Sequence, residues 1–373
     1  MADLITHISK ITDTRSQLGR RHNLVDIIVI AICGILCGAD DWVMISGFGK
    51  AKKEWFASFL ELPHGIPSHD TFGKVFAWID PKEFQVCFMD WVREVAEITR
   101  GQVIAIDGKT VRRSHDQAYG KAAIHLVSAW ASENGLVLGQ VKVDDKSNEI
   151  TAIPELLKLL DISGCIVSID AMGTQKEIVS LILEQKGDYL LAVKQNQGRL
   201  YEQIEASYQY DRSNDFKDAP YDYVKTVNKG HGRIETRKCW VISDPEYIKY
   251  IDPDRGWQGL KSITIVEATR RENEKISSQI RYFISSLDIE AAQMLEHVRK
   301  HWEVENKLHW SLDITFREDY SRVRKGHAPE NLAIIRKMAL NLLRQNQTRN
   351  GGAKTKRLIC AADTDFLLEI LNS

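Results

Sequence analysis

From Gly101 onward the sequence carries short, almost uninterrupted apolar runs, and these restrict the fold more than any other feature. QVIAID is the first, and CIVSID and YLLAVK have the same form. Such runs suit strands covered on both faces, which requires helices on either side of a sheet. Helical patterns do occur between them, in TAIPELLKLLD and TQKEIVSLILEQ, while AAIHLVSAWAS and LVLGQVKV are joined as a hairpin by ENG. The order is strand, strand, strand, helix, strand, helix, strand. An α/β unit is expected that still lacks a closing helix.

That helix comes late. Residues 195–287 carry strand-like runs (ETRKCWVIS, SITIVEATR, QIRYFISSL) between polar loops, the mark of a β-rich insertion. After SLDIE, the stretch AAQMLEHVRKHWEVENKLHW repeats apolar residues every three or four positions and is expected to be the missing helix. Residues 1–97 read as helices, with Ser68 as an N-cap after GIP. They suit either a DNA-binding helix-turn-helix or a dimerisation bundle. The first hundred residues hold 11 Lys plus Arg against 13 Asp plus Glu, so no basic footprint favours the groove binder. The expected organisation is a helical domain at 1–97, a core at 98–194, the insertion at 195–287, the last core helices at 288–350 and a C-terminal tail at 351–373.

At 373 residues, with 43% hydrophobic and 27% charged side chains, the chain has the profile of a soluble globular protein of more than one structural unit. Its most apolar run, LVDIIVIAICGILCG, contains Asp26 and is shorter than the roughly 20 residues a bilayer demands. Six scattered cysteines follow neither a zinc-ribbon spacing nor a disulfide framework, and Cys33 and Cys37 read as packing residues one helical turn apart. With no signal-peptide pattern at the start, a cytoplasmic location is expected.

Asp107 ends VIAID and Asp170 ends CIVSID. If the first and fourth strands are neighbours, these carboxylates lie side by side, an arrangement that calls for a cation between them. Hard oxygen ligands suit Mg²⁺ or Mn²⁺, and a third carboxylate from a helix would complete the site. Glu305, in HWEVENKLHW, stands in the right helix. Taken singly, each aspartate could be a turn or capping residue and Glu305 a solvated charge.

VIAIDGKTVRRS, KSNEITAIPELL, IVSIDAMGTQKEI, YLLAVKQNQ and the long stretch from HWEVENKLHW to IIRKMALNLL resemble the H-repeat-associated family of bacterial insertion-sequence transposases. ADDWVMI and GIPSHDTF resemble that family's amino-terminal associated domain. The resemblance implies an Asp-Asp-Glu recombinase: a ribonuclease-H-like mixed sheet flanked by helices, with Asp107, Asp170 and Glu305 as catalytic and metal-holding residues. It further implies two Mg²⁺ or Mn²⁺ ions, cleavage at element ends, transfer of the freed 3′ hydroxyl into target DNA, and self-association in a synaptic complex. The Tyr, Arg and Lys that the wider group sets around its glutamate are replaced by Val298, His301 and Leu312, so their roles do not carry over; Arg299 or Lys307 are the candidate substitutes.

Residues 321–357 hold ten Lys plus Arg and one acid, a charge excess suited to a phosphate backbone. Arg322, Arg324 and Lys325 in SRVRKGHAPEN, and Lys109, Arg112 and Arg113 in GKTVRR, are candidate DNA contacts, while GGAKTKR reads as a solvated tail. Lys194 and Asn196 in KQNQ lie on the sheet edge where strands of substrate would pass, and Arg299, His301 and His309 complete the DNA set. Two rivals are a zinc hydrolase built on the row His301, Glu305 and His309, and an inactive or domesticated DNA-binding relative.

Overall fold

A computed structural model describes residues 4–16, 20–115, 120–144, 147–217, 220–230 and 232–373. Six helices come first: α1 (Leu4–Ser9), α2 (Leu24–Leu36), α3 (Trp42–Ala51), α4 (Lys53–Phe56), α5 (His69–Trp78) and α6 (Pro81–Val95). Next are β1 (Val103–Thr110), β2 (His125–Ala131), β3 (Leu136–Lys142), α7 (Glu149–Leu159), β4 (Ile166–Ile169), α8 (Lys176–Glu184) and β5 (Asp188–Val193). The region expected to be β-rich contains α9 (Arg199–Ser213), β6 (Asp222–Gly230), β7 (Arg233–Ile242), α10 (Pro245–Ile251), β8 (Ser262–Glu272) and β9 (Lys275–Ser285). The chain ends with α11 (Ala291–His301), α12 (Ala328–Gln345), α13 (Ala353–Ala362) and α14 (Thr364–Leu371).

The strands form a mixed sheet in the order β3-β2-β1-β4-β5-β9-β8-β7-β6. The adjacency that the sequence left as a condition is met: the first and fourth strands are parallel neighbours, from Val103↔Ile166 to Ile106↔Ile169. This α/β architecture, with a hairpin ahead of parallel strands, is the ribonuclease-H-like sheet that the resemblance led us to expect. The insertion continues that sheet, because β9 pairs antiparallel with β5 from Leu190↔Ser285 to Val193↔Tyr282. α9, β6 and α10 were not expected from the sequence. α9 buries only Leu200, Ile204, Tyr208 and Asp211, a stripe too narrow to announce a helix in an otherwise polar stretch.

The chain divides into two compact units. One comprises Thr99–Asp107 and Ser147–Val304. In its core Met294, Leu295 and Val298 of α11 join Val103, Ile166, Leu190 and Phe283 of the strands. The other comprises Met1–Ile98, Gly108–Lys146 and Glu305–Ser373. At its centre lies α12, buried on all sides from Ala328 to Leu343. Asn341 of α12 bonds both backbone groups of Val137 in β3, at 2.9 Å each, as a neighbouring strand would. α2 is likewise buried from Leu24 to Leu36 except at Val25, and its Asp26 carboxylate accepts from the Leu62 amide at 3.0 Å. Among the described residues, no helix is long and apolar enough to cross a membrane.

Local predictions fared unevenly. Ser68 does cap α5, accepting from the Thr71 amide at 3.3 Å. α7 is capped by Asn148, whose Oδ1 accepts from the Ile150 amide at 3.0 Å, and Glu149 is its first residue. The solvated reading of GGAKTKR is overturned, because this segment leads into α13 and buries Lys356 and Arg357. Lys356 Nζ donates to the Leu343 carbonyl at 3.0 Å and also to that of Asn346, serving the exposed carbonyl end of α12. Arg357 Nε reaches the Ile35 carbonyl at 2.9 Å.

Candidate active site

Parallel pairing of β1 with β4 stops at Ile106↔Ile169, so Asp107 and Asp170 are the next residues on two adjacent strands. Adjacent strands lie about 4.8 Å apart, so the chain leaves the paired stretch at Asp107 and Asp170 from neighbouring positions. β1 itself continues to Thr110, so Asp107 lies within a strand and not at its end, as VIAID had suggested. Asp170 caps the 3-10 turn Ala171–Gly173 through the Ala171 amide, 2.7 Å from Oδ1. Only glycine fits at position 173: a Cβ there would lie 2.4 Å from Ile169 Cγ2 and 2.7 Å from Ile153 Cδ1.

Lys194, just beyond β5, places its Nζ 2.9 Å and 3.0 Å from the two oxygens of Asp170. Burial opposes ionisation of Asp170, but the Lys194 and Ala171 hydrogen bonds outweigh it and hold the carboxyl below its ordinary range. The Lys194 ammonium thus stands where a cation would be attracted. Asn196, read as a DNA contact, has its Nδ2 donating to the Ala171 carbonyl at 2.9 Å, so its amide ties two site loops together.

His301 ends α11 beneath this edge, with Nδ1 3.0 Å from Ser168 Oγ. Only 7% exposed, it is held neutral by burial, its pKa lowered to about 4. That corrects its reading as a phosphate contact, since a buried neutral ring offers no charge to DNA. Asp170, Lys194, Asn196, Arg281, His301 and Trp302 border a cavity of 480 Å³. The Arg281 guanidinium lies 4.5 Å from the Trp302 ring centre.

Glu305 belongs to the other unit. α11 ends at His301, and the expected α-helical continuation is instead a pair of π-helical turns, Val304–His309 and Ser311–Thr315. The wider turn is rare and recurs at functional sites. Glu305 is exposed there, while Val304, Leu308 and Leu312 are buried. Half-buried His309 is also held neutral, at about 4, by burial.

Lys109 departs furthest from its reading as a DNA contact. Its side chain is 11% exposed, with Nζ 2.8 Å from Asp313, 3.0 Å from Glu318 and 3.3 Å from Asp319. Burial disfavours the ammonium, but Glu318 and Asp313 outweigh that and raise its pKa. Fully buried Glu318 is drawn down to about 2 despite desolvation, with Lys109, Lys337 and Arg336 as the causes. Arg336 and Lys337 are 1% and 2% exposed, so much of the basic excess at 321–357 is internal. The sequence did carry a sign of this, because an Arg-Lys pair interrupts the apolar run NLAIIRKMALNLL. The remaining candidates lie outward. Arg112 has a side chain 79% exposed beside Asp319. Arg113, Arg299, Arg322 and Lys325 are exposed, and Arg324 is half-buried with its Nε on the Arg113 carbonyl.

Among the described residues, no group of three or more His, Cys, Asp or Glu side chains is assembled to hold a metal ion. The zinc row of His301, Glu305 and His309 therefore gains no support. Asp107 and Asp170 each follow the last paired residue of β1 and β4, and hard carboxylate oxygens such as theirs suit Mg²⁺ or Mn²⁺. The model of the transposase DDE domain matches residues 98–342, and that of the DDE_Tnp_1-associated domain matches residues 5–92. The chain belongs to the DDE transposase family. It is 44% identical over 375 residues to the transposase candidate YncI of Escherichia coli O157:H7, covering 99% of this chain and 94% of that one. To the H repeat-associated transposase candidate YhhI of Escherichia coli strain K12 it is 39% identical over 372 residues, covering 99% and 97%. As a DDE transposase it falls in a family that in general depends on divalent metal.

Proposed function

We propose that this DNA transposase cuts phosphodiester bonds at the ends of an insertion sequence and joins the freed 3′ hydroxyl to target DNA. The observation that supports the reading is the register of β1 and β4, whose last paired residues, Ile106 and Ile169, directly precede Asp107 and Asp170. Asp107, Asp170 and Glu305 would hold two divalent ions. When bound, these supply the positive charge that in-line displacement needs at both the entering and the departing oxygen.

Around that chemistry the chain's own residues bind and orient. The ammonium of Lys194 neutralises Asp170 and, with a divalent ion held there, would be free to reach the DNA backbone. Asn196 keeps the turn after Asp170 in position through the Ala171 carbonyl. His301, buried and uncharged, excludes water beneath Asp170 without adding a competing positive charge. Arg112, Arg113, Arg299, Arg322, Arg324 and Lys325 contact phosphates and fix the strand against the carboxylates. In the first step a water oxygen bonds to phosphorus, the P–O3′ bond breaks and a proton passes to solvent. In the second the 3′ hydroxyl attacks a target phosphate in the same way. Two protomers bring two element ends together.

The test is Mn²⁺-dependent cleavage of linear DNA carrying the flanking terminal repeats. Native protein is expected to nick at the repeat end and the Asp170→Asn variant to fail, whereas equal cutting by both removes Asp170 from the site.

A further inference from the structure

The ion cluster around Lys109 contacts the segment that carries Glu305 at several points. Asp313 lies in its second π-helical turn, and Glu318 and Asp319 follow directly. A π-helical turn is less favourable than an α-helical one, so it persists only where its surroundings over-determine it. Apolar packing does not make that selection. Val304, Leu308 and Leu312 recur every four residues, a spacing that buries one face in either register, and Trp310 and Ile314 stand 58% and 55% exposed.

The polar contacts do discriminate, because they anchor single atoms along the run. Arg344 donates to the Lys307 carbonyl at 2.9 Å, and Ser311 Oγ donates to the same oxygen at 2.5 Å. Arg357 donates to the Thr315 carbonyl. Lys109 gathers three carboxylates on one ammonium within 3.3 Å. Arg336 stands 4.0 Å from Glu318, and Arg112 stands 3.3 Å from Asp319. Removing the Lys109 charge therefore leaves Asp313 and the buried Glu318 without their closest cation.

We propose that Lys109 is a positioning residue: by neutralising Asp313, Glu318 and Asp319 it holds residues 304–315 in the π-helical register that presents Glu305. Relaxation of one π turn to α shifts the run by one residue, a rotation of about 100° that would turn Glu305 away from its working direction. This role rests on the transposase reading for its effect on cutting, but its effect on the backbone can be measured apart from it.

The full-length protein is compared with Lys109→Met, Lys109→Arg and the charge-balanced pair Lys109→Met with Glu318→Gln. Amide hydrogen exchange is followed over residues 304–315 without DNA or metal, alongside Mn²⁺-dependent nicking of terminal-repeat DNA. Lys109→Met is expected to speed exchange in 304–315 by about tenfold or more while the β7–β8 ladder stays protected. Nicking at saturating DNA should fall by about tenfold or more with DNA affinity unchanged. Lys109→Arg should restore both. The charge-balanced pair should recover thermal stability yet keep the fast exchange and the slow nicking, which separates positioning from mere folding. Native exchange over 304–315, or native nicking, in that folded pair overturns the proposal. If the native protein itself does not nick this DNA, the transposition chemistry fails and exchange alone decides the role of Lys109.

Discussion

The two aspartates and the glutamate are held by different kinds of structure. Asp107 and Asp170 owe their nearness to backbone hydrogen bonds, because the β1–β4 register fixes where each strand delivers its next residue. Glu305 sits on a π-helical run anchored by side chains far away in sequence, with Lys109 bonded to a glutamate 209 positions on. A sheet tolerates many side-chain changes without losing register, whereas an ion cluster around one ammonium does not. The aspartate half should therefore respond to mutation mainly through its own carboxylates, and the glutamate half through its supports.

The largest effect should come from the carboxylates themselves. Asp170→Asn is expected to lower the nicking rate at least a thousandfold, ~4 kcal/mol in the barrier, with an unchanged melting temperature. Normal stability with normal nicking breaks the comparison at its first half. On the other side, Arg357→Met should cost about 3 kcal/mol of stability in denaturant unfolding, since it takes from Asp40 its nearer cation, 3.5 Å away, and from the Thr315 carbonyl the Arg357 donor. A loss below the error of the midpoint would show that the C-terminal helices are dispensable supports.

Acid titration sharpens the contrast more gently. His301 has a folded pKa of about 4 against an ordinary 6.5, so the unfolded chain binds more protons between those values. Its contribution is complete above pH 6.5 and is lost as pH falls toward 4, on the order of 3 kcal/mol in all. Unfolding measured from pH 7 to pH 4 should therefore be less steep in His301→Gln than in the native protein. The smallest effect belongs to Lys194. Its side chain is 58% exposed, so its pair with Asp170 is worth at most about 1 kcal/mol, and Lys194→Met should tighten Mn²⁺ binding by no more than about fivefold in calorimetry.

The same division governed what could be read from the sequence. QVIAID and CIVSID carried their burial on their face, but that their strands are neighbours was only a condition in the sequence and is supplied by the β1–β4 pairing. The π-helical run was illegible because valine and leucine at 304, 308 and 312 satisfy α-helical spacing as well. Lys109 looked like one cation in a basic surface patch, since nothing local indicates that Asp313, Glu318 and Asp319 surround it. GGAKTKR has the composition of a tail, and only the carbonyls at the end of α12 explain why its Lys and Arg are buried. α9 escaped for the opposite reason, being a helix whose buried stripe is narrower than sequence periodicity can detect.

The account stands on the three acidic residues serving one metal site, and localised oxidative scission tests this most directly. Fe²⁺ is exchanged for Mg²⁺ in the DNA-bound protein, and hydroxyl radicals generated with ascorbate and peroxide cut the backbone beside the metal. The account predicts cuts at three segments, around residues 107, 170 and 305, all suppressed by excess Mg²⁺ and all lost in Asp170→Asn. Cuts around 107 and 170 with none around 305 would contradict it.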